Sequence, residues 1–296
     1  MKTNLKIPPG IDQAQLEHLI NLGLIEDIGQ DFKSGDVTTN ACVPAIRLGT
    51  ATLLAKEELV VCGLFLVSQI FAKIDPTVQI KELAMEGSQV KAGAVLCEIS
   101  GPLRSLLTAE RLILNFIQRL SGIATQARRL QALVAPVKLY DTRKTIPGFR
   151  ALDKYAVRIG GAVNHRRGLY DAFLIKNNHI DALDGDIVQA INKARLAKPR
   201  LKLEVEVRDL NELSLALSAK PDAILLDNFS PADLAVAVKH ARSIAPQIEL
   251  EASGGIDPRN LEAYAQSGVD AISMGALTHS IKAADLSLHL ALVSEQ

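Results

Sequence analysis

The sequence predicts an α/β protein in two parts: a mixed α+β domain over residues 1 to about 105, then a parallel α/β barrel short of the usual eight strands. The first observation behind this is the alternation that sets in at Val137. There the short apolar runs VKLYD, AFLIK, LKLEVEV, AILLD, QIELEAS and DAISMGA are separated by helical patterns. Their spacing, about 22 to 35 residues per unit, is that of βαβ repeats with right-handed crossovers. The second is the lack of such alternation in the N-terminal third, where strand-like and helix-like stretches are mixed. The third is negative: no GxGxxG follows the first run of the alternating part, which disfavours a dinucleotide-binding sheet.

In the N-terminal part, residues 12–28 read as a helix, with Leu16, Leu19, Ile20 and Leu24 on one stripe and Asp12 as its cap. A polar loop, GQDFKSGDVTT, leads to strands over 50–61 and 77–83 with a helix over 64–73 between them. Gly87, Gly93 and Gly101 punctuate two further short runs as a β-turn-β unit. A helix starting near Thr108, with Glu110 in its first turn, buries Leu112, Ile113, Phe116, Ile117 and Leu120. Arg111, Asn115, Gln118 and Gly122 fall on its other side, either as a solvated face or as a subunit contact. In the alternating part, helices are expected over 186–196, 209–219, 231–244 and 258–267.

Composition narrows the function classes. With 48% apolar and 22% charged residues the chain is well cored, and 33 basic against 33 acidic residues give no reason to expect nucleic acid or an anionic membrane as partner. The longest apolar run, 59–67, is too short to cross a bilayer, and MKTNLKIPPG lacks a hydrophobic signal core. Cys42, Cys62 and Cys97 form no CxxC pair, which suits a reducing, cytoplasmic setting.

Against this neutral background, the segment 143–167 holds seven Lys/Arg (Arg143, Lys144, Arg150, Lys154, Arg158, Arg166, Arg167) and His165, with Asp153 as its one acid. Cations at the ends of buried strands are costly to desolvate without anionic partners, so a small, multiply negative ligand is expected. Active sites of such barrels form at the carboxyl ends of the strands. Those ends read Asp141-Thr-Arg143-Lys144, Lys176-Asn177, Glu206, Asp227-Asn228, Glu251-Ala-Ser253 and Met274-Gly275. In LKLEVEV, Lys202, Glu204 and Glu206 share one face, which points into the barrel if the apolar face packs on the helices. Glu204 then pairs with Lys202 or another basic residue, and Glu206, nearest the rim, is the functional candidate. Ser253-Gly254-Gly255, followed by Asp257-Pro258 opening a helix, has the composition of a phosphate cradle, and Gly275 ends the last strand. Glu206 and Asp227 are hard oxygen ligands suited to Mg2+. The residues thus call for a sugar phosphate, a metal-bound pyrophosphate and a second anion at the Arg/His cluster.

The motifs DTRKT, NHRRGLYD, LIKNNHI, EVEV, ILLDN, EASGGI and MGALTHS, in this order and preceded by ERLILNFIQRLSGIAT, closely resemble the quinolinate phosphoribosyltransferase family (carboxylating nicotinate-nucleotide pyrophosphorylases) over essentially the whole chain. The resemblance implies formation of nicotinate mononucleotide, CO2 and pyrophosphate from quinolinate and phosphoribosyl pyrophosphate, with Mg2+, in NAD biosynthesis. It implies an N-terminal α/β sandwich domain over 1–118 and an incomplete parallel α/β barrel of seven strands or fewer over 119–277. A C-terminal helix over 278–296 would pack back on the first domain. It also implies a homodimer with Arg111 donated across the interface. Carried over by position, Arg143, His165, Arg166 and Lys176 hold the quinolinate carboxylates, and Lys144 and Lys176 neutralise pyrophosphate oxygens. Glu206 and Asp227 meet the ribose hydroxyls and the metal; Ser253, Gly254, Gly255, Gly275 and His279 take the 5'-phosphate. The family commonly has an acid after the strand-end lysine, whereas this chain has Asn177, so the resemblance carries no metal contact to that position.

Two other enzymes share parts of this pattern. One is a paralogue of altered substrate, against which the Arg143/His165/Arg166 group favours a dicarboxylate. The other is a Schiff-base sugar-phosphate lyase using Lys176, which requires a desolvated lysine of lowered pKa. His179, beside that lysine, reads as structural.

Overall fold

The computed structural model describes residues 6–292. The chain forms two compact units, one made of Met1–Arg128, Ile146–Gly161 and Ile281–Gln296, the other of Arg129–Thr145 and Ala162–Ser280. These compact units divide at Arg128, where the sequence suggested a cut after residue 118, and the first is assembled from three stretches of chain.

The first unit opens with α1 (Gln13–Ile28), capped by Asp12, whose carboxylate accepts the Gln15 N–H at 2.9 Å; Leu16, Ile20, Leu24 and Ile28 are its buried stripe. After α2 (Val37–Cys42) come β1 (Leu48–Ala55), β2 (Leu59–Val60), α3 (Phe65–Ile74), β3 (Gln79–Glu82), β4 (Gln89–Val90) and β5 (Val95–Pro102). On β1, Ala51, Leu53 and Ala55 are buried and Thr50 is exposed, the period-2 pattern of a one-sided sheet. The long helix α4 (Leu103–Val134) follows directly on Pro102, five residues before the expected start, so Glu110 lies in its second turn. Its apolar stripe is as expected, with Leu112, Ile113, Phe116, Ile117 and Leu120 all buried.

The chain then lays down β6 (Lys138–Tyr140) of the second unit, returns to the first for α5 (Arg150–Ile159), and re-enters the second with β7 (Phe173–Ile175). On α5, Asp153 is fully buried and receives two hydrogen bonds of 2.9 Å from Arg119. The basic stretch seen in the sequence is thereby divided: Arg150, Lys154 and Arg158 belong to the first unit, Arg143, Lys144, Arg166 and Arg167 to the second. Lys154 is 2% exposed, so this helix face is not a simple solvated one.

From β7 the second unit alternates as expected: α6 (Asn177–Asp181), α7 (Ile187–Ala197), β8 (Leu203–Val207), α8 (Leu210–Ala219), β9 (Ala223–Asp227), α9 (Pro231–Ile244), β10 (Glu249–Ser253), α10 (Leu261–Ala265), β11 (Ala271–Ser273) and α11 (Ala276–His279). The six strands form one parallel sheet in the order β6-β11-β10-β9-β8-β7. It is curled enough that side chains two strands apart meet: Tyr140 on β6 reaches Glu249 on β10 at 2.6 Å. All five residues of β8 are buried, Leu203, Val205 and Val207 completely, with α7 and α8 packed beside the strand.

The chain ends the description in the first unit with β12 (Leu286–Leu292), antiparallel to β1, completing a four-stranded sheet of order β12-β1-β5-β3. This corrects the expected helix over 278–296: α11 stops at His279, and Leu286 and Leu288 alternate inward opposite Ala55 and Leu53. Residues 293–296 of that expectation lie outside the described residues.

Candidate active site at the carboxyl end of the six-stranded sheet

The strand ends of the second unit surround a cavity of about 470 Å³. Four cations line it: Arg143 and Lys144 after β6, Arg166 in the turn before β7, and Lys176 at the end of β7. Arg166 is held by a hydrogen bond of 3.2 Å from Nη1 to the Ala172 carbonyl, and burial together with the Arg143 charge pushes its pKa down. Two guanidinium groups kept at one site against their mutual repulsion are a demand for an anion. Local packing fixes Lys144: its backbone N–H donates to Thr142 Oγ1 at 3.0 Å and its carbonyl accepts from Thr278 Oγ1 at 2.8 Å. A Cβ on Gly275 would lie 2.8 Å from Lys144 Cδ, so a residue without a side chain is what lets the lysine pass.

Of the four carboxylates on the cavity, Asp141, Glu206 and Glu251 are buried; Asp141 is turned to protein donors and Glu251 faces His165. Asp141 accepts the Asn164 side-chain amide at 2.7 Å and the His165 N–H at 2.8 Å, shaping the turn that carries Arg166. That leaves Glu206 at the end of β8 and Asp227 at the end of β9, on adjacent strands of the same wall. Glu206 pairs with Lys176 at 3.5 Å, and Asp227 is half-buried and accepts from Asn228 Nδ2 at 2.8 Å. Two hard oxygen donors on adjacent strand ends, one buried and one half-buried, fit a magnesium ion.

The far wall is backbone. Ser253, Gly254 and Gly255 line the cavity at the end of β10, and both glycines have positive φ, +93° and +62°. A Cβ on Gly254 would run into the Asn228 side chain and backbone. Such successive turns aim N–H groups at one point, the geometry of an anion nest. The helix expected to open at Pro258 begins at Leu261 and has five residues, so the cradle rests on these loop amides instead of a helix terminus.

On the cavity lining, His165 Nε2 lies 2.9 Å from Glu204 Oε2 and 3.4 Å from Glu251 Oε2. The ligand atoms of these three residues fall within 4.8 Å of one another, close enough to share a cation. The 2.9 Å separation is that of a hydrogen bond, and a proton on Nε2 fills the place. One layer deeper, Glu249 accepts from Tyr140 Oη and from Lys202 Nζ, both at 2.6 Å.

With this geometry in hand, comparison with known proteins is decisive. Residues 36–121 match the family model for the N-terminal domain of quinolinate phosphoribosyl transferase, and residues 123–289 match that for its C-terminal domain. The chain belongs to the quinolinate phosphoribosyltransferase family. It is 40% identical to a probable carboxylating nicotinate-nucleotide pyrophosphorylase of Bacillus subtilis, over 96% of both chains. It is 41% identical to the carboxylating nicotinate-nucleotide pyrophosphorylase of Mycobacterium leprae, over 88% of this chain and 93% of the other. A solved nicotinate-nucleotide pyrophosphorylase from Francisella tularensis superposes with a TM-score of 0.87 at 43% identity, covering 98% of this chain and 99% of that one.

For this member of the quinolinate phosphoribosyltransferase family, the structure brings most of the expected residues to one cavity. Arg143, Lys144, His165, Arg166, Lys176, Glu206, Asp227, Ser253, Gly254 and Gly255 all line it. Gly275 and His279 stand beside the Lys144 chain instead of on the lining, and His279 is exposed. Arg111 is exposed on α4 of the first unit. His179 accepts the Lys176 N–H at 2.8 Å, the structural part its position suggested. The Lys176 side chain is 51% exposed, the opposite of the desolvated amine a Schiff-base lyase needs. Cys62 and Cys97 are no nucleophiles, because burial pushes both thiols up, Cys97 to about 12. Glu251 is the residue that reading the sequence placed at a strand end without giving it a role. Its signal was present, since ELEAS places Glu249, Glu251 and Ser253 on one face by the same alternation that singled out Glu204 and Glu206.

Proposed function

We propose that the chain catalyses transfer of a phosphoribosyl group from phosphoribosyl pyrophosphate to quinolinate, giving nicotinate mononucleotide, CO2 and pyrophosphate in NAD biosynthesis. The observation that carries this is the charge arrangement of one cavity: Arg143, Lys144, Arg166 and Lys176 face it, with Glu206 and Asp227 on adjacent strand ends. Two guanidinium groups and two lysines at one cavity suit a ligand with several anionic groups, as a diacid beside a pyrophosphate provides.

In this reading Arg143 and Arg166 hold the two pyridine carboxylates, aligning the ring nitrogen with the ribose carbon. Lys144 and Lys176 hold pyrophosphate oxygens and take up charge as the bond to ribose breaks. Glu206 and Asp227 orient the ribose hydroxyls and hold magnesium, which when bound neutralises pyrophosphate charge. The amides of 253–255 hold the 5'-phosphate, with Gly275 and His279 completing that end. After the ring nitrogen has bonded to ribose, the adjacent carboxylate leaves as CO2, its bonding electrons pass into the cationic ring, and a proton from solvent fills the vacated carbon. No covalent enzyme intermediate is called for.

The enzyme is proposed to act as a homodimer with Arg111 supplied to the partner's cavity, which accounts for an exposed arginine on the polar stripe of α4. Mixed dimers of Arg111→Ala and Lys144→Ala chains then regain part of the activity that each variant alone lacks. A cytoplasmic setting agrees with three free cysteines, and among the described residues no helix is long and apolar enough to cross a membrane. The deciding assay supplies phosphoribosyl pyrophosphate with quinolinate or nicotinate, with and without Mg2+. The expected result is nicotinate mononucleotide and stoichiometric CO2 from quinolinate, abolished by chelation. Turnover of nicotinate in preference to quinolinate would assign a paralogous activity instead.

A further inference from the structure

The pairing of β11 with β6 runs one step past its last strand residues: Ser273 lies opposite Tyr140, and the Met274 N–H donates to the Tyr140 carbonyl at 3.0 Å. Beyond Tyr140 the chain leaves the sheet, and Arg143 and Lys144 stand on the turn that follows. That turn is caught again at the Lys144 backbone, from both sides. The Lys144 N–H donates to Thr142 Oγ1 at 3.0 Å, and the Lys144 carbonyl accepts from Thr278 Oγ1 of α11 at 2.8 Å. Both ends of this second bond belong to the second unit. Thr278 is 1% exposed and lies off the cavity lining, so its hydroxyl is turned to the protein and not to a ligand.

A hydroxyl carries one proton to donate. Of the two carbonyls near Thr278 Oγ1, that of Gly275, at 3.3 Å, already receives the Thr278 and His279 N–H groups, both at 3.1 Å. The proton therefore goes to Lys144, nearer at 2.8 Å although 134 residues away in the chain. This bond joins two turns that carry opposite ends of one proposed substrate. Lys144 faces the pyrophosphate, while α11 follows Gly275 and contains His279, both placed at the 5'-phosphate. The lysine stem runs past the same glycine: a Cβ there would lie 2.8 Å from Lys144 Cδ and 3.0 Å from the His279 ring. Backbone nitrogen, backbone oxygen and side-chain stem are thus each held, and the lysine lines the cavity. A long side chain acts on a breaking bond only if its origin is fixed, since a misplacement of about 1 Å can cost about a hundredfold in rate.

We propose that Thr278 is a positioning residue for the transfer: its buried hydroxyl sets the Lys144 backbone, and with it the span between that lysine and the Gly275–His279 end of the site. This rests on the proposed function for what Lys144 meets. Thr278 acts through Lys144 and touches neither substrate. A threonine that merely tightened α11 through Gly275 would serve stability and leave turnover alone.

The test is a double-mutant cycle on the full-length enzyme with Thr278→Ser, Thr278→Val and Thr278→Ala. The serine variant keeps the hydroxyl and the valine variant keeps the bulk; the alanine variant carries the comparison if the valine one does not fold. Thr278→Val and Thr278→Ala should lower kcat about tenfold and Thr278→Ser by less than about twofold, with the quinolinate KM unchanged in all three. In a Lys144→Ala background, Thr278→Val and Thr278→Ala should change kcat by less than about twofold, because the group they misplace is gone. Three results would each overturn the proposal: full turnover by Thr278→Val or Thr278→Ala, a Thr278→Ser variant as impaired as Thr278→Val, or a tenfold loss that persists beside Lys144→Ala. Calorimetry with inorganic pyrophosphate and Mg2+ reads the same cycle without turnover. Thr278→Val should weaken that binding about fivefold, Thr278→Ser should not, and Lys144→Ala should erase the difference. If the wild type makes no nicotinate mononucleotide from quinolinate, the proposed function fails and the pyrophosphate cycle by itself decides the role of Thr278.

Discussion

The two ends of the six-stranded sheet use the same residue types to opposite effect. At the amino end, Glu249 is closed by Tyr140 and Lys202, with Lys138 at 3.8 Å. Burial raises the Glu249 carboxyl, but the Lys202 and Tyr140 bonds outweigh it and hold the pKa below its usual value; Tyr140 and Lys202 are both pushed up. At the carboxyl end, four cations face a cavity together with Glu206, buried and paired with Lys176 at 3.5 Å, and the half-buried Asp227. A network that satisfies itself is scaffold, and one that needs a visitor to balance it is a site. Charged residues on inward strand positions therefore indicate function only after their partners have been found.

That contrast can be broken at either end. The largest effect is expected from Lys144→Ala at the open end, where kcat should fall about 10²–10³-fold, as for loss of one donor to developing negative charge, with an unchanged melting temperature. Normal turnover by that variant would remove the lysine from the chemistry. Gly254→Ala, which forces a side chain against Asn228 at a φ of +93°, should raise the KM for phosphoribosyl pyrophosphate about tenfold and cost about 1–3 kcal/mol of stability. An unaltered KM would show that the 253–255 amides bind no phosphate. The smallest catalytic effect belongs to the closed end: Glu249→Gln should leave kcat and both KM values alone while lowering stability by about 1–3 kcal/mol at pH 7. Because the folded-state pKa of Glu249 is depressed, its contribution is present above the ordinary carboxylate value of 4.5 and is lost as pH falls through the lower folded value. Denaturant midpoints of wild type and variant should accordingly converge on acidification below the ordinary carboxylate range, and a gap that does not narrow would contradict the assignment.

How far the sequence could be read depended on whether the deciding contact was local. All six strands of the second unit lie within the apolar runs, because each run is short, β-branched or leucine-rich and bounded by helical periodicity. The cations of the site were legible as a local excess, and Glu206 by alternation with Val205 and Val207. The first unit's three-segment make-up was not legible, since nothing in 146–161 marks it as belonging with residues before 128. The last strand was legible and misread: LSLHLAL alternates with period two, but it was joined to the short helix before it. For His165 only tertiary structure brings Glu204, Glu251 and the Arg166 amide to one ring, partners that no local pattern in the sequence marks.

The placement of β12 has a consequence for biosynthesis. The edge of β1 that it covers is made long before the covering strand, which lies far downstream in the chain. Until then the nascent chain carries an open, half-apolar β edge, the feature through which unfinished chains join one another. Loss of β12 by truncation before Leu286 is accordingly expected to yield an intact catalytic sheet on a protein that precipitates, a failure of solubility with no lesion near the cavity.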